Sequence, residues 1–218
     1  MRAAAELEVL AKATADGGAA MLVGSVFVVD GALHNGVALL DGGKVAVYLR
    51  GHVGDTGHRN VVVSGNVCDG QTTTSGADAA IAVTSFNGAT VRGNEISDAA
   101  GAAFRVSFAD DVTISGNTVT RSQSNGVAGA VAKRLSVIGN RFTECGIGAT
   151  ESTADNTYSV WVSATEDTTV SGNAFAQSGP FAHAQLTGVR GHIVGNVSMT
   201  GGGMSKWNNL TTGGETQP

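Results

Sequence analysis

The chain of 218 residues has little charge, almost no proline, few aromatics and two cysteines. Charged residues make up 14%, and the 13 Lys and Arg form no basic block. With a net charge of −5, this argues against a nucleic-acid surface. No apolar run reaches the roughly 20 residues of a membrane span. The opening MRAAAELEVLAKATADGG mixes charges through its apolar residues, which does not read as a secretory signal. The location expected from it is cytoplasmic before lysis, or a virion. Glycine is abundant, at 32 residues among many Val, Thr and Ala. That mixture suits short strands and tight turns and not helices.

One stretch recurs. It reads VVVSGNVC at 61–68, ATVRGNEI at 89–96, VTISGNTV at 112–119, LSVIGNRF at 135–142, TTVSGNAF at 168–175 and GHIVGNVS at 191–198. Its asparagines, Asn66, Asn94, Asn117, Asn140, Asn173 and Asn196, are 28, 23, 23, 33 and 23 residues apart. A base period of 23 with two insertions is the signature of a solenoid. Two residues before each glycine stand Val63, Val91, Ile114, Val137, Val170 and Ile193; two after each asparagine stand Cys68, Ile96, Val119, Phe142, Phe175 and Ser198. Alternation of period two puts both columns on one face. A further strand precedes each motif, as in AAIAV at 79–83 and AAFRV at 102–106. Three short strands per repeat describe one rung of a parallel β-helix, which buries its inner face only by stacking on its neighbours. Glycine takes φ > 0 cheaply and asparagine tolerates it, so the pair suits a sharp bend. Stacked asparagines can then hydrogen-bond from rung to rung. Cys68 and Cys145 fall three rungs apart. At about 4.8 Å per rung that is too far for a bridge, so free thiols are expected.

Over residues 45–200 this pattern resembles the right-handed parallel β-helix proteins, the group of pectate lyases, related polysaccharide-active enzymes and phage tailspikes. The resemblance implies an all-β, single-stranded right-handed β-helix. An N-terminal α/β capping segment of helix plus hairpin is expected over 1–50, the β-helix over 51–200 and a C-terminal cap or tail over 201–218. Within the cap, residues 3–15 read as an amphipathic helix. VALL at 37–40 and KVAVYL at 44–49 flank Asp41-Gly42-Gly43 and read as a hairpin. Residues 13–46 also resemble a piece of the nitrilase-type glutaminase domain of bacterial NAD synthetases. None of that family's catalytic Glu, Lys or Cys has a counterpart here, so the likeness implies borrowed strands and no amidase.

Polysaccharide enzymes of this group use clustered carboxylates, and Asp110-Asp111 is the obvious pair. The alignment offers a structural explanation. That corner reads Asp110-Asp111, Lys133-Arg134, Glu166-Asp167 and Val189-Arg190 up the stack, and a second column reads Asp98, Arg121, Glu144. Alternating signs at rung spacing make ladders of ion pairs. On the strand before the motif, Ala82, Arg105, Ala128, Trp161 and Ala184 align. Arg105 and Trp161 there could hold a sugar's acid group and stack on its ring, or Trp161 could pack under a neighbour; His183 is placed with the same face. The two insertions emerge at one corner and bring Glu151, Asp155 and Tyr158. Glu151 and Asp155 are the candidate catalytic carboxylates; Arg105, Trp161 and Tyr158 are the candidate carbohydrate-binding residues. No His, Cys or carboxylate set has ligand spacing, so neither a metal nor another cofactor is expected.

Three functions fit. The first is a structural, carbohydrate-binding protein, a phage tail spike or fibre segment, homotrimeric and contacting surface polysaccharide. The others are a polysaccharide lyase or hydrolase, and an inactive scaffold or fused fragment.

Overall fold

A computed structural model describes residues 61–70, 79–148, 158–176, 182–199, 207–212 and 215–216. It also describes the short strands Ala20–Met21, Phe27–Val29, Ala32–His34, Ala38–Leu39 and Val47–Arg50. The chain is a parallel β-helix, all β among the described residues. Each rung has three faces. The first is formed by Ala79–Thr84, Ala102–Ser107, Val127–Ala130 and the openings of Tyr158–Ser171 and Ala182–Val194. The second leads into Gly-Asn: Val61–Ser64, Asn87–Arg92, Asp110–Ser115, Ser136–Ile138 and the ends of the same two long strands. The third follows it: Val67–Asp69, Glu95–Ala99, Thr118–Ser122, Arg141–Cys145, Ala174–Ala176 and Val197–Ser198.

Both sequence columns stack in register. Val63 pairs with Val91, Val91 with Ile114, Ile114 with Val137, and Val137 with Val170. Cys68, Ile96, Val119, Phe142 and Phe175 follow one another in the same way on the third face. All but Cys68, at 4%, are at most 1% exposed. The core is filled by complementary sizes. A Cβ on Gly126 would meet the Phe142 ring at 2.5 Å, so the glycine makes room for the ring. Phe142 and Phe175 stack with centroids 5.3 Å apart.

The asparagines are buried, between 1% and 8% exposed. Each Oδ1 from Asn94 to Asn196 accepts two hydrogen bonds from the asparagine one rung earlier, from its backbone N–H and from its Nδ2. Each Nδ2 in that series also donates to a carbonyl of the preceding rung, as Asn117 does to Val91 at 3.0 Å. From Asn94 to Asn173 every side-chain donor and acceptor is used, so burial leaves no polar group unmatched. The glycines before them have φ between 59° and 69°; at Gly65, Gly93, Gly116, Gly139 and Gly195 a Cβ would touch nothing within 4 Å. Backbone conformation, not space, demands glycine there.

The structure corrects three expectations. The strands flanking Asp41-Gly42-Gly43 do not pair. Ala38–Leu39 joins Val67–Cys68 in one sheet and Val47–Arg50 joins Ile81–Thr84 in the other. Antiparallel pairing instead joins Phe27–Val29 to Ala32–His34 and Ala20–Met21 to Ala38–Leu39. The second correction concerns His183, which is not on an outer face. It is 6% exposed, stacked on Phe175 at 5.3 Å, 5.3 Å from Trp207, and its Nε2 shares a 3.0 Å hydrogen bond with Ser198 Oγ. Third, the residue beside Trp161 on the next rung is Gln185, and Ala184 is buried opposite Val160. A register shift between Val162 and Thr165 is the reason: the Ala182–Val194 rung is one residue shorter at that corner than the rung before it. The helix expected over 3–15 lies outside the described residues, as does most of the segment likened to a nitrilase domain, and that likeness is not shown. Beyond the last motif, Trp207–Thr212 and Glu215–Thr216 run parallel to Ala182–Val194 and continue the stack.

Two outcomes are expected. Asn117→Ala removes four hydrogen bonds inside the protein and lowers the unfolding free energy in urea by about 3 kcal/mol or more, against about 1 kcal/mol for Gly116→Ala, whose penalty is backbone strain alone. A loss below that of Gly116→Ala would remove the ladder's importance. Burial holds the His183 pKa below its ordinary value, so on acidification the unfolded chain takes up this proton first. Stability from neutral His183 is complete above about pH 6.5 and falls as pH drops from there through the folded-state pKa. His183→Phe therefore flattens the melting temperature between pH 6.5 and 5, while the unaltered chain declines.

Candidate functional site

On the first face the inward columns are closed. Ile81, Val83, Phe104, Val106, Val127, Val160, Val162 and Leu186 are at most 1% exposed. The residues between them point outward, and strand register places them in line. Ala82 pairs with Arg105, Arg105 with Ala128, Ala128 with Trp161, and Trp161 with Gln185. Arg105 and Trp161 are thus two rungs apart, about 10 Å, with only the methyl of Ala128 between them. Arg105, Trp161 and Gln185 are all half-buried. A second outward column runs alongside through Thr84, Ser107, Ala130 and Ser163, and Arg105 Nε donates to Ser107 Oγ at 3.4 Å.

The face therefore offers a guanidinium, an indole, an amide and the half-buried hydroxyls of Thr84 and Ser163 on a rigid sheet, while Ser107 is buried. An indole face and a guanidinium suit a ring with an apolar side and polar edges. Of the residues singled out in the sequence, the structure brings Arg105 and Trp161 together. Tyr158 is 8% exposed and belongs to the same strand, three residues earlier. Glu151 and Asp155 lie outside the described residues. Gln185 escaped the sequence alignment because of the register shift, and the hydroxyl column because only its neighbour was aligned.

The carboxylates are engaged elsewhere. Arg134 holds Asp111 with two hydrogen bonds, 2.5 and 3.0 Å, and lies 3.5 Å from Asp110. Lys133 pairs with Glu166 at 3.2 Å, and Arg190 binds both Asp167, at 2.5 and 2.9 Å, and Glu166, at 3.2 Å. Arg121 forks onto Asp98 at 2.5 and 2.6 Å. Hydrogen bonds from Arg121 and Arg190 hold Asp98 and Asp167 below the usual carboxylate range. Asp98 and Asp167 therefore stay ionised at neutral pH, and all five paired carboxylates are taken up by arginine or lysine and do not stand free for a substrate. They are register devices. Arg121→Glu, which faces Asp98 and Glu144 with a like charge, lowers the melting temperature more than Arg121→Ala does. The difference shrinks in high salt, and equal melting temperatures at low salt would contradict the ladder.

Known proteins share this architecture. No curated protein sequence matches the chain. Among solved structures, the A-module of a mannuronan C-5 epimerase from Azotobacter vinelandii is similar with a TM-score of 0.50 and 16% identity, over 75% of this chain and 47% of that one. The chain thus spans about half the length of that module. A Parabacteroides merdae protein described provisionally as a glycosyl hydrolase matches with a TM-score of 0.34 and 14% identity, over 73% of this chain and 75% of that one. At 16% identity the likeness to the epimerase module is one of fold alone. The family model of NosD, described as periplasmic copper-binding protein, matches residues 34–180. Matched over well more than half of its length, the chain belongs to the NosD family of parallel β-helix proteins.

Proposed function

We propose that the chain is a structural, carbohydrate-binding β-helix whose first face holds a polysaccharide. The observation that carries this is the shared outer column of Arg105, Trp161 and Gln185, with the hydroxyls of Thr84 and Ser163 in the column beside it. A sugar ring lies on the indole, and the guanidinium takes an acidic or hydroxyl group of a neighbouring sugar. The rigid sheet fixes both in advance, which limits the ordering cost of binding. Similarity in fold to an epimerase module that acts on mannuronan lends support of a general kind. The setting we favour is a homotrimeric tail spike or fibre segment of a virion, where a stiff, low-charge rod presents such a face to surface polysaccharide.

The family description names copper. Among the described residues no three His, Cys, Asp or Glu side chains come together as a metal site. Cys68 and Cys145 are buried, three rungs apart and unbridged, and burial pushes both thiols up to about 12. Protonated, separated thiols do not fit a copper centre, and the proposal includes none. Nor does it include catalysis: among the described residues the obvious carboxylate pairs are bound to arginine or lysine.

Co-sedimentation or calorimetry with polymannuronate, polygalacturonate and dextran tests this reading. The chain is expected to bind at least one acidic polymer without shortening it, and Trp161→Ala to weaken that binding about tenfold. Binding unaffected by both Trp161→Ala and Arg105→Ala would move the site elsewhere.

A further inference from the structure

Every full rung turns corners with backbone in the left-handed region, and the corners solve this differently. At Gly-Asn the residue is always glycine. In the charged columns Asp98, Arg121, Glu144, Asp111, Arg134, Asp167 and Arg190 have φ between 49° and 57°. Six of those seven side chains are joined in the ion pairs described above, and Glu144 stands beside Arg121. The corner that ends the first face is different. Ser85, Phe108, Val131 and Ala164 have φ of 51°, 51°, 53° and 47°, a conformation unfavourable for any residue with a Cβ and most unusual for bulky or β-branched ones. Their backbones are held by the ladder: Phe108 N–H donates to Ala130 O at 3.0 Å and Val131 N–H to Ser163 O at 3.1 Å. The side chains gain little from the fold, since Phe108 is 59% exposed and Val131 45%.

Neither glycine nor ion pairing nor deep burial offsets the strain at these two positions. The fold sets the left-handed backbone at this corner in rung after rung, but it does not require a bulky apolar side chain there, and keeping one at the strained position points to a use outside the fold. Phe108 directly follows Ser107, whose hydroxyl accepts from Arg105 in the same rung. Its ring therefore stands at the rim of the Arg105–Trp161 face, about 10 Å along the strand from Arg105. Val131 continues the rim one rung on.

We propose that the Phe108–Val131 edge is a second contact surface for the polysaccharide: an apolar rim on which the C–H face of one sugar packs while another lies on Trp161. Phe has no polar tip, so it serves the apolar side of a pyranose and adds no preference for its acid group. The two aromatics then require a chain of several sugars, and a single sugar is held poorly. This rests on the reading of the first face given above.

The test uses the full chain and the polymer, among polymannuronate, polygalacturonate and dextran, that it retains. Phe108→Asn suits the left-handed backbone better, so it raises the melting temperature by about 2–4 °C while weakening polymer binding about fivefold; Phe108→Tyr keeps the ring and the affinity. Opposite signs for stability and binding are not what a packing residue gives. If Trp161→Ala weakens binding and Phe108→Asn does not, the rim is overturned and the face stands. If Phe108→Asn leaves binding intact but dissociates an oligomer in light scattering, the edge is a subunit contact and the proposal fails. A chain that retains none of the polymers overturns the face and its rim together.

Discussion

The structure depends on a buried line of amides. An asparagine inside a protein costs free energy unless its donors and acceptor are satisfied, and this one is satisfied only if the next rung sits directly above. Asn117 donates to Asn140 Oδ1 and to Val91 O and accepts twice from Asn94. A rung displaced along its strand would strand these groups without water to replace them. Hydrophobic stacking holds the rungs together but is not directional. The ladder supplies the direction, and the outer charges reinforce it, because a one-rung slip would set Arg134 against Arg190 in place of Asp111 and Asp167.

Once register is fixed, side chains on distant stretches of sequence acquire fixed neighbours. Arg105 and Trp161 are 56 residues apart in sequence and two rungs apart in space, and neither needs a loop to position it. A face built this way is rigid, which suits recognition of a polymer that itself repeats along the rod. The same logic separates the functions of the corners. Glycine and paired charges make left-handed bends tolerable, and the aromatic left exposed at Phe108 is the exception that calls for an external partner.

Much of this is legible in the sequence. The Gly-Asn motif gives the rung, the β-branched columns give the core, and the alternating charges give the ladders, because each rests on a local periodicity. What was not legible arises where periodicity breaks. His183 and Ala184 are consecutive yet both buried, His183 against Phe175 and Trp207 and Ala184 opposite Val160, which breaks the alternation. Gln185 replaces Ala184 beside Trp161 because the last rung is one residue short at that corner. The turn at Asp41-Gly42-Gly43 looks like a hairpin locally, but its flanking strands are claimed by different faces of the stack, a tertiary choice no local signal contains. Phe108 draws no notice in sequence, because its exposure and its left-handed backbone emerge only in the folded rung.

The central claim is that the buried asparagines lock the rungs, and native-state hydrogen exchange followed by NMR measures it most directly. The backbone amides of Asn94, Asn117 and Asn140, and their side-chain amides, should be among the slowest in the protein, exchanging only through global unfolding. If they instead exchange through local opening, no better protected than amides of the terminal strand Trp207–Thr212, the ladder is a consequence of stacking and not its constraint.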